Sequence, residues 1–293
     1  MKYHTPVLLN EVIAHLKVEK GKKYIDATLG DGGYAIEILK RGGVVLGIDV
    51  NLQSINRAKK RIQEKKLEKN ITYSQSNFKN IDDIAKKHGF NKVSGIIYDL
   101  GYSSSQLEDP ELGISFQQNH PLDMRFDKSL GVTAKDLVNA LSEKELGGLI
   151  YRLSDEKYSK KFAKSIIRHR NLKKIQTTKE LSDILVNESP PDYEKGRIHP
   201  ATRTFQALRI AVNDEITNLE ETLPRAAQLL LPGGLIFVIS FHSLEDTMTK
   251  NFGRDAQPNI RPLVKKPIVP SREEIDANVR ARSAKLRVFK KAK

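Results

Sequence analysis

Between Tyr24 and Asp49 the chain reads YIDATLGDGGYAIEILKRGGVVLGID. An apolar run, a turn with glycines at 30, 32 and 33, an amphipathic stretch and a second apolar run ending in an acid make one strand–helix–strand crossover. Such a unit restricts the chain to a parallel sheet covered by helices, with a ligand at the carboxyl ends of the strands. The turn carries Asp26 and Asp31, where a dinucleotide fold seats a pyrophosphate, and both acids would repel one. The full G-x-G-x-x-G spacing is also missing. An adenosine cofactor without phosphate, bearing an ammonium and a sulfonium, suits an acidic turn, so S-adenosyl-L-methionine is expected rather than a dinucleotide. Asp49 closes the second run about 20 residues beyond the turn, the place from which a carboxylate accepts hydrogen bonds from ribose hydroxyls.

The same rhythm continues. Short apolar runs at 23–29, 44–50, 71–78, 93–101 and 234–243 read as buried parallel strands, with helical patterns at 33–41, 52–67 and 80–88 between the first four. From 106 to 213 no comparable strand appears, only loops and amphipathic helices, with Thr133, Ser142 and Thr178 as N-cap candidates. The expected architecture is α/β: a Rossmann-like sheet of residues 1–105 and 214–293, interrupted by a helical substrate-recognition domain at 106–213.

Composition narrows the partners. Formal net charge is +14 over 293 residues. Residues 251–293 hold 12 Lys/Arg against 4 Asp/Glu, and a second basic zone spans Tyr158 to Lys174. Two separate basic zones point to a polyanionic partner, which gains affinity through counterion release. No apolar run approaches the roughly 18 residues that span a bilayer. The amino terminus has no export pattern, so a cytoplasmic protein is expected. With no cysteine in the chain, disulfides, thiolate metal sites and cysteine nucleophiles are excluded. His4, His199 and His242 lack compact ligand spacing, and no metal is expected.

The fourth run ends in Asp99-Leu100-Gly101-Tyr102. Enzymes that methylate exocyclic amines carry Asp/Asn/Ser-Pro-Pro-Tyr at this place; here the acid and the aromatic are kept without the prolines. Asp99 is placed to accept hydrogen bonds from a conjugated amine, and Tyr102 to stack on its ring, which makes both candidate catalytic residues. Asn77 and Phe78 follow the third run, where an adenine would lie.

These residues belong to seven ordered blocks: HTPVLLNEV (4–12), DATLGDGG (26–33), DLGYSSSQL (99–107), PLDMRFD (121–127), HPATRTFQALRIAVNDE (199–215), ISFHSLED (239–246) and ARSAKLR (281–287). Together they resemble the bacterial 16S ribosomal RNA cytosine-N4 methyltransferases. The resemblance implies a class I methyltransferase sheet that methylates N4 of a decoding-centre cytidine, position 1402 in the usual rRNA numbering. It also implies cofactor contacts at Gly32, Gly33, Tyr34, Asp49, Phe78, Asp99 and Gln106. The family carries His where this chain has Tyr34. RNA-contact candidates are Asp123, Arg125, Arg203, Arg209, His242, Arg280, Arg282, Lys285 and Arg287. For Asp123 and Arg125 an ion-paired loop is the competing reading. The polar stripe of Arg203, Gln206, Arg209 and Asn213 is expected to face RNA or the other domain. The implied partner is small-subunit RNA or the 30S particle, with a homodimer left open. A DNA amino-methyltransferase and a non-catalytic RNA-binding assembly factor are the alternatives.

Overall fold

The apolar runs become the centre of one seven-stranded sheet. The computed structural model describes Tyr3 and residues 5–293; His4 lies outside the described residues. The strands are β1 Lys23–Asp26, β2 Val44–Asp49, β3 Ile71–Gln75, β4 Val93–Asp99, β5 Leu230–Ser240, β6 Ile260–Pro262 and β7 Lys285–Lys291. Their order is β3-β2-β1-β4-β5-β7-β6. β1 to β5 pair in parallel, and β7 runs antiparallel to both of its neighbours. This is the Rossmann-like sheet that the crossover predicts.

Alternation along each strand explains why the runs look continuously apolar. Tyr24, Val45 and Phe237 enter a core on one face, while Ile25, Leu46 and Val238 enter a second core on the other. Both faces are covered, as parallel strands require. Helices Gly33–Lys40 and Leu52–Glu64 place Ile38 and Ile55 in the first core; helix Ile81–Lys87 places Ile84 in the second, and so does Leu219 of helix Glu215–Leu229. Chain order reverses between β1 and β4, so their carboxyl ends flank the crevice where ligands bind in such sheets. Asp26 pairs with Ile97 in register, which sets the ends of β1 and β4, Asp26 and Asp99, beside each other.

Two compact units divide the chain, one of residues up to Ser103 plus Ile216–Lys293, the other Ser104–Glu215, against expected edges at 106 and 213. The second unit has its own core, built from Leu146, Ile150, Phe162, Ile166, Leu181 and Leu208 among others. Thr133 and Ser142 cap helices Ala134–Ala140 and Glu143–Ser154, each in a capping box with an acid three residues on. The third expected cap is displaced by one residue. Thr177 caps helix Thr178–Glu188, and Thr178 is buried, its hydroxyl donating to the Gln118 carbonyl at 2.8 Å.

The carboxyl-terminal basic segment departs from its reading as an RNA-facing tail. SAKLRVFKK contains β7, which is covered on both sides by β5 and β6. Leu286 and Val288 are buried, while Lys285 Nζ and Arg287 Nε on the alternate face meet Asp246 at 3.1 and 2.7 Å. Period-two alternation was visible there but masked by the density of charge. Leu286→Ala should therefore destabilise the protein by about 2–5 kcal/mol, read as a lower denaturation midpoint. A midpoint unchanged within error would return the segment to a surface tail.

Candidate functional site

The glycine turn is held from below by Asp49. Its Oδ2 accepts from Gly30 N and its Oδ1 from Asn51 N, both at 2.8 Å. Gly32 adopts φ +75 as the residue before helix Gly33–Lys40, a conformation that L side chains resist. A Cβ on Gly33 would fall 2.0 Å from Pro6 Cγ, so the amino-terminal segment lies directly on the turn. Burial pushes the Asp49 carboxyl up to about 6, against the two N–H groups that favour its charge.

The two turn aspartates are not equivalent, which corrects the reading that treated them alike. Asp31 is matched by Arg57, with Nε to Oδ1 at 2.7 Å and Nη2 to Oδ2 at 2.9 Å. Asp26 is fully buried, and neither of its oxygens has a hydrogen-bond partner in normal range among the described residues. Desolvation pushes its carboxyl up to about 7; the Asp49 charge adds to this, and the backbone N–H groups of Thr28 and Ala35 oppose it.

Asp99 stands next to it. Its backbone N donates to Thr28 Oγ1 at 2.6 Å, which fixes the end of β4 against β1, while its Oδ1 has no partner among the described residues. Its carboxyl is pushed well up, first by burial, then by the Asp26 and Glu245 charges, with the Tyr34 hydroxyl acting the other way. Tyr34 is buried and donates its phenolic proton to the Val7 carbonyl. Burial and the neighbouring acids keep that phenol protonated. Sequence reasoning named Tyr34 as a cofactor contact and missed this side-chain role. It also missed Glu245, whose Oε2 accepts from Phe241 N at 2.7 Å. The H-x-x-E spacing at 242–245 carried that signal, because His242 and Glu245 form a capping box on helix Ser243–Asp255.

The other candidates fall in several places. Phe78 opens a short turn after β3, with its ring edge-on to Tyr98 at 5.6 Å, and Asn77 caps that turn through Lys79 N. One face of the Tyr102 ring carries the Arg280 guanidinium, 5.2 Å from its centroid. Gln106 lies in helix Ser104–Glu108 of the second unit. There Asp123 and Arg125 form the ion-paired loop: Nε to Oδ1 at 2.8 Å and Nη2 to Oδ2 at 2.9 Å, with Lys128 on the same carboxylate at 3.1 Å. These cations hold the Asp123 carboxyl down to about 2, against the opposing effect of its burial. Arg203 pairs with Glu194 at 2.6 Å. The stripe expected to face RNA or the other domain is partly interior. Arg209 is buried and bidentate to Glu215 at 2.8 Å, and Asn213 bridges the Met124 carbonyl and the Phe126 N–H within its own unit.

The MraW methylase family matches residues 1–292. The chain belongs to that family. Relatives named ribosomal RNA small subunit methyltransferase H include one from Carboxydothermus hydrogenoformans, 43% identical, covering 98% of this chain and 97% of its own. One from a Sulfurihydrogenibium strain is 44% identical, covering 98% and 99%. One from Persephonella marina is 42% identical, covering 99% and 100%. No helix among the described residues is long and apolar enough to cross a membrane.

S-adenosylmethionine is the cofactor of this methylase, and the first unit fits it. At Gly30 a Cβ would have no neighbour nearer than Thr28 O at 3.9 Å, and Asp26 and Asp99 lack cationic partners among the described residues, as a site for a cationic ligand requires. The cofactor binds best with these acids ionised, so affinity should fall as pH drops through about 7 and then 6, the values for Asp26 and Asp49. A carboxyl whose folded value is raised favours folding below its unfolded value near 3.8, and that advantage is lost as pH rises through 7. Asp26→Asn should thus stabilise the ligand-free protein at pH 8, by at most about 4 kcal/mol, leave it little changed near pH 4, and weaken cofactor binding. Thermal melts at both pH values with calorimetry check this; a variant destabilised at pH 8 would contradict the burial cost assigned to Asp26.

Proposed function

We propose that the protein transfers a methyl group from S-adenosylmethionine to the exocyclic N4 of a decoding-centre cytidine, position 1402, in small-subunit ribosomal RNA. It would act in the cytoplasm on that RNA, free or within the 30S particle. The names of its relatives support the RNA class. The observation that carries the choice of N4 is the Asp99 carboxyl at the end of β4, with Oδ1 unpartnered among the described residues, in a chain without cysteine. Carbon 5 of cytosine becomes nucleophilic only after a thiolate adds to carbon 6, and no thiolate exists here. N4 needs alignment and acceptors for its hydrogens instead.

When bound, the cofactor supplies an electrophilic methyl on a sulfonium. Asp99 Oδ1 accepts an N4 hydrogen, turning the amine lone pair out of conjugation with the ring, and takes the proton that the methylated nitrogen sheds. Ligand-free, the carboxyl is held toward its neutral form by burial first and then by the Asp26 and Glu245 charges. A cation beside it favours the carboxylate, so Asp99 becomes an acceptor when the donor site is filled. The Tyr34 hydroxyl, its proton donated to the Val7 carbonyl, lies beside that carboxyl. Tyr102, braced by Arg280, is the aromatic surface for the target base.

Asp99→Ala should lower turnover by about 10²–10⁴-fold. Digestion of the methylated RNA to nucleosides should yield N4-methylcytidine from the wild-type enzyme. Recovery of 5-methylcytidine would reject the proposed chemistry.

A further inference from the structure

β5 ends at Ser240 and continues through Phe241 into helix Ser243–Asp255, while β7 starts at Lys285 after the short turn Val279–Ser283. A cleft of about 490 Å³ opens among these segments and residues 269–275. Its apolar wall includes Phe241, Val269 and Pro270, and its polar lining includes Ser243, Arg282 and Ser283. Nothing in the methyl-transfer chemistry uses it.

The cations in and beside it divide by charge matching. Lys285 and Arg287 meet Asp246, and Arg280 lies over Tyr102. Arg282 is exposed and forms no ion pair among the described residues. The acids of the neighbouring helix do not offset it: Asp246 is shared by two cations, and Glu245 is buried against Phe241 N. Val269 is 60% exposed although apolar. An aromatic and aliphatic wall beside one unmatched guanidinium is the chemistry of a single nucleotide, base on the wall and phosphate on the cation. The volume lies in the range of small-ligand clefts.

Its place in the fold is equally specific. Asp99 pairs with Ile239, and Leu100 N donates to the Ile239 carbonyl at 3.1 Å. A Cβ on Gly101 would lie 3.8 Å from Phe241 Cδ2. Phe241 thus borders the loop that carries Asp99 and Tyr102. We propose that this cleft holds a nucleotide flanking the target cytidine in single-stranded RNA, its base against Phe241 and Val269 and its phosphate at Arg282. The cleft would separate the neighbour from the target base and turn the latter toward Asp99. This rests on the RNA reading above, and its test is separable from that reading.

The chain has no tryptophan, so Val269→Trp places a sole indole at the mouth of the cleft. A 5′-phosphorylated uridine trinucleotide should quench its fluorescence saturably, and uridine alone should quench far less. Adding Arg282→Glu should weaken the trinucleotide about tenfold or more, the loss of one charge-assisted contact, and flatten the salt dependence by about 0.7 log units. Calorimetry with S-adenosylmethionine, unchanged in both variants, shows that they are folded. In the full reaction, Arg282→Glu should raise KM for small-subunit RNA more than it lowers kcat. No quenching by the trinucleotide, quenching by an acidic peptide of equal charge at the same concentration, or indifference to Arg282→Glu would each overturn the proposal. If quenching holds but no cytidine in the RNA is methylated, the cleft stands and the cytidine assignment falls.

Discussion

Two carboxyl groups, Asp26 and Asp99, meet where β1 and β4 part, and neither has a cationic partner among the described residues. Burial raises the affinity of both for a proton; the Asp49 charge adds to this at Asp26, and the Asp26 and Glu245 charges add to it at Asp99. A fold built for stability alone would replace them or pair them, because a buried unmatched acid costs free energy at neutral pH. Their presence organises what surrounds them. Thr28 ties the two strand ends together, the Tyr34 hydroxyl donates to the Val7 carbonyl, and Pro6 presses the amino-terminal segment onto the turn. Such a site trades folding stability for affinity toward a cation, a common arrangement where pKa values are displaced.

The contrast with the rest of the molecule sharpens that reading. The chain has 50 Lys and Arg against 36 Asp and Glu, so cations are not scarce. Asp31 takes Arg57, Asp123 takes Arg125 and Lys128, Glu215 takes Arg209, and Asp246 takes Lys285 and Arg287. Partly buried acids are matched again and again outside the crevice. Several arginines named as RNA-contact candidates by motif position therefore hold loops and strands together, and Arg282 differs from its neighbours in the same segment. Basic character in the sequence overstated the surface available to a polyanion.

What the sequence by itself determined was local and periodic. Apolar alternation, a glycine turn and the acid after the second run are set within a few residues, and they located β1 to β5, Asp49 and Asp99. Loss of strand patterning after 106 marked the helical insertion, and the capping residues Thr133 and Ser142 marked helix starts. Tertiary structure decided the long-range pairings. Whether Asp31 stays charged toward a ligand depends on Arg57, 26 residues away, and Tyr34 gains its role from a carbonyl 27 residues earlier. The basic carboxyl-terminal segment became an interior strand because Leu286 and Val288 find the core beside β5, while Asp246, about 40 residues upstream, neutralises Lys285 and Arg287. Charge in a sequence shows what must be matched; only the packed chain shows by which partner, because Coulomb attraction and burial act through space and not along the backbone.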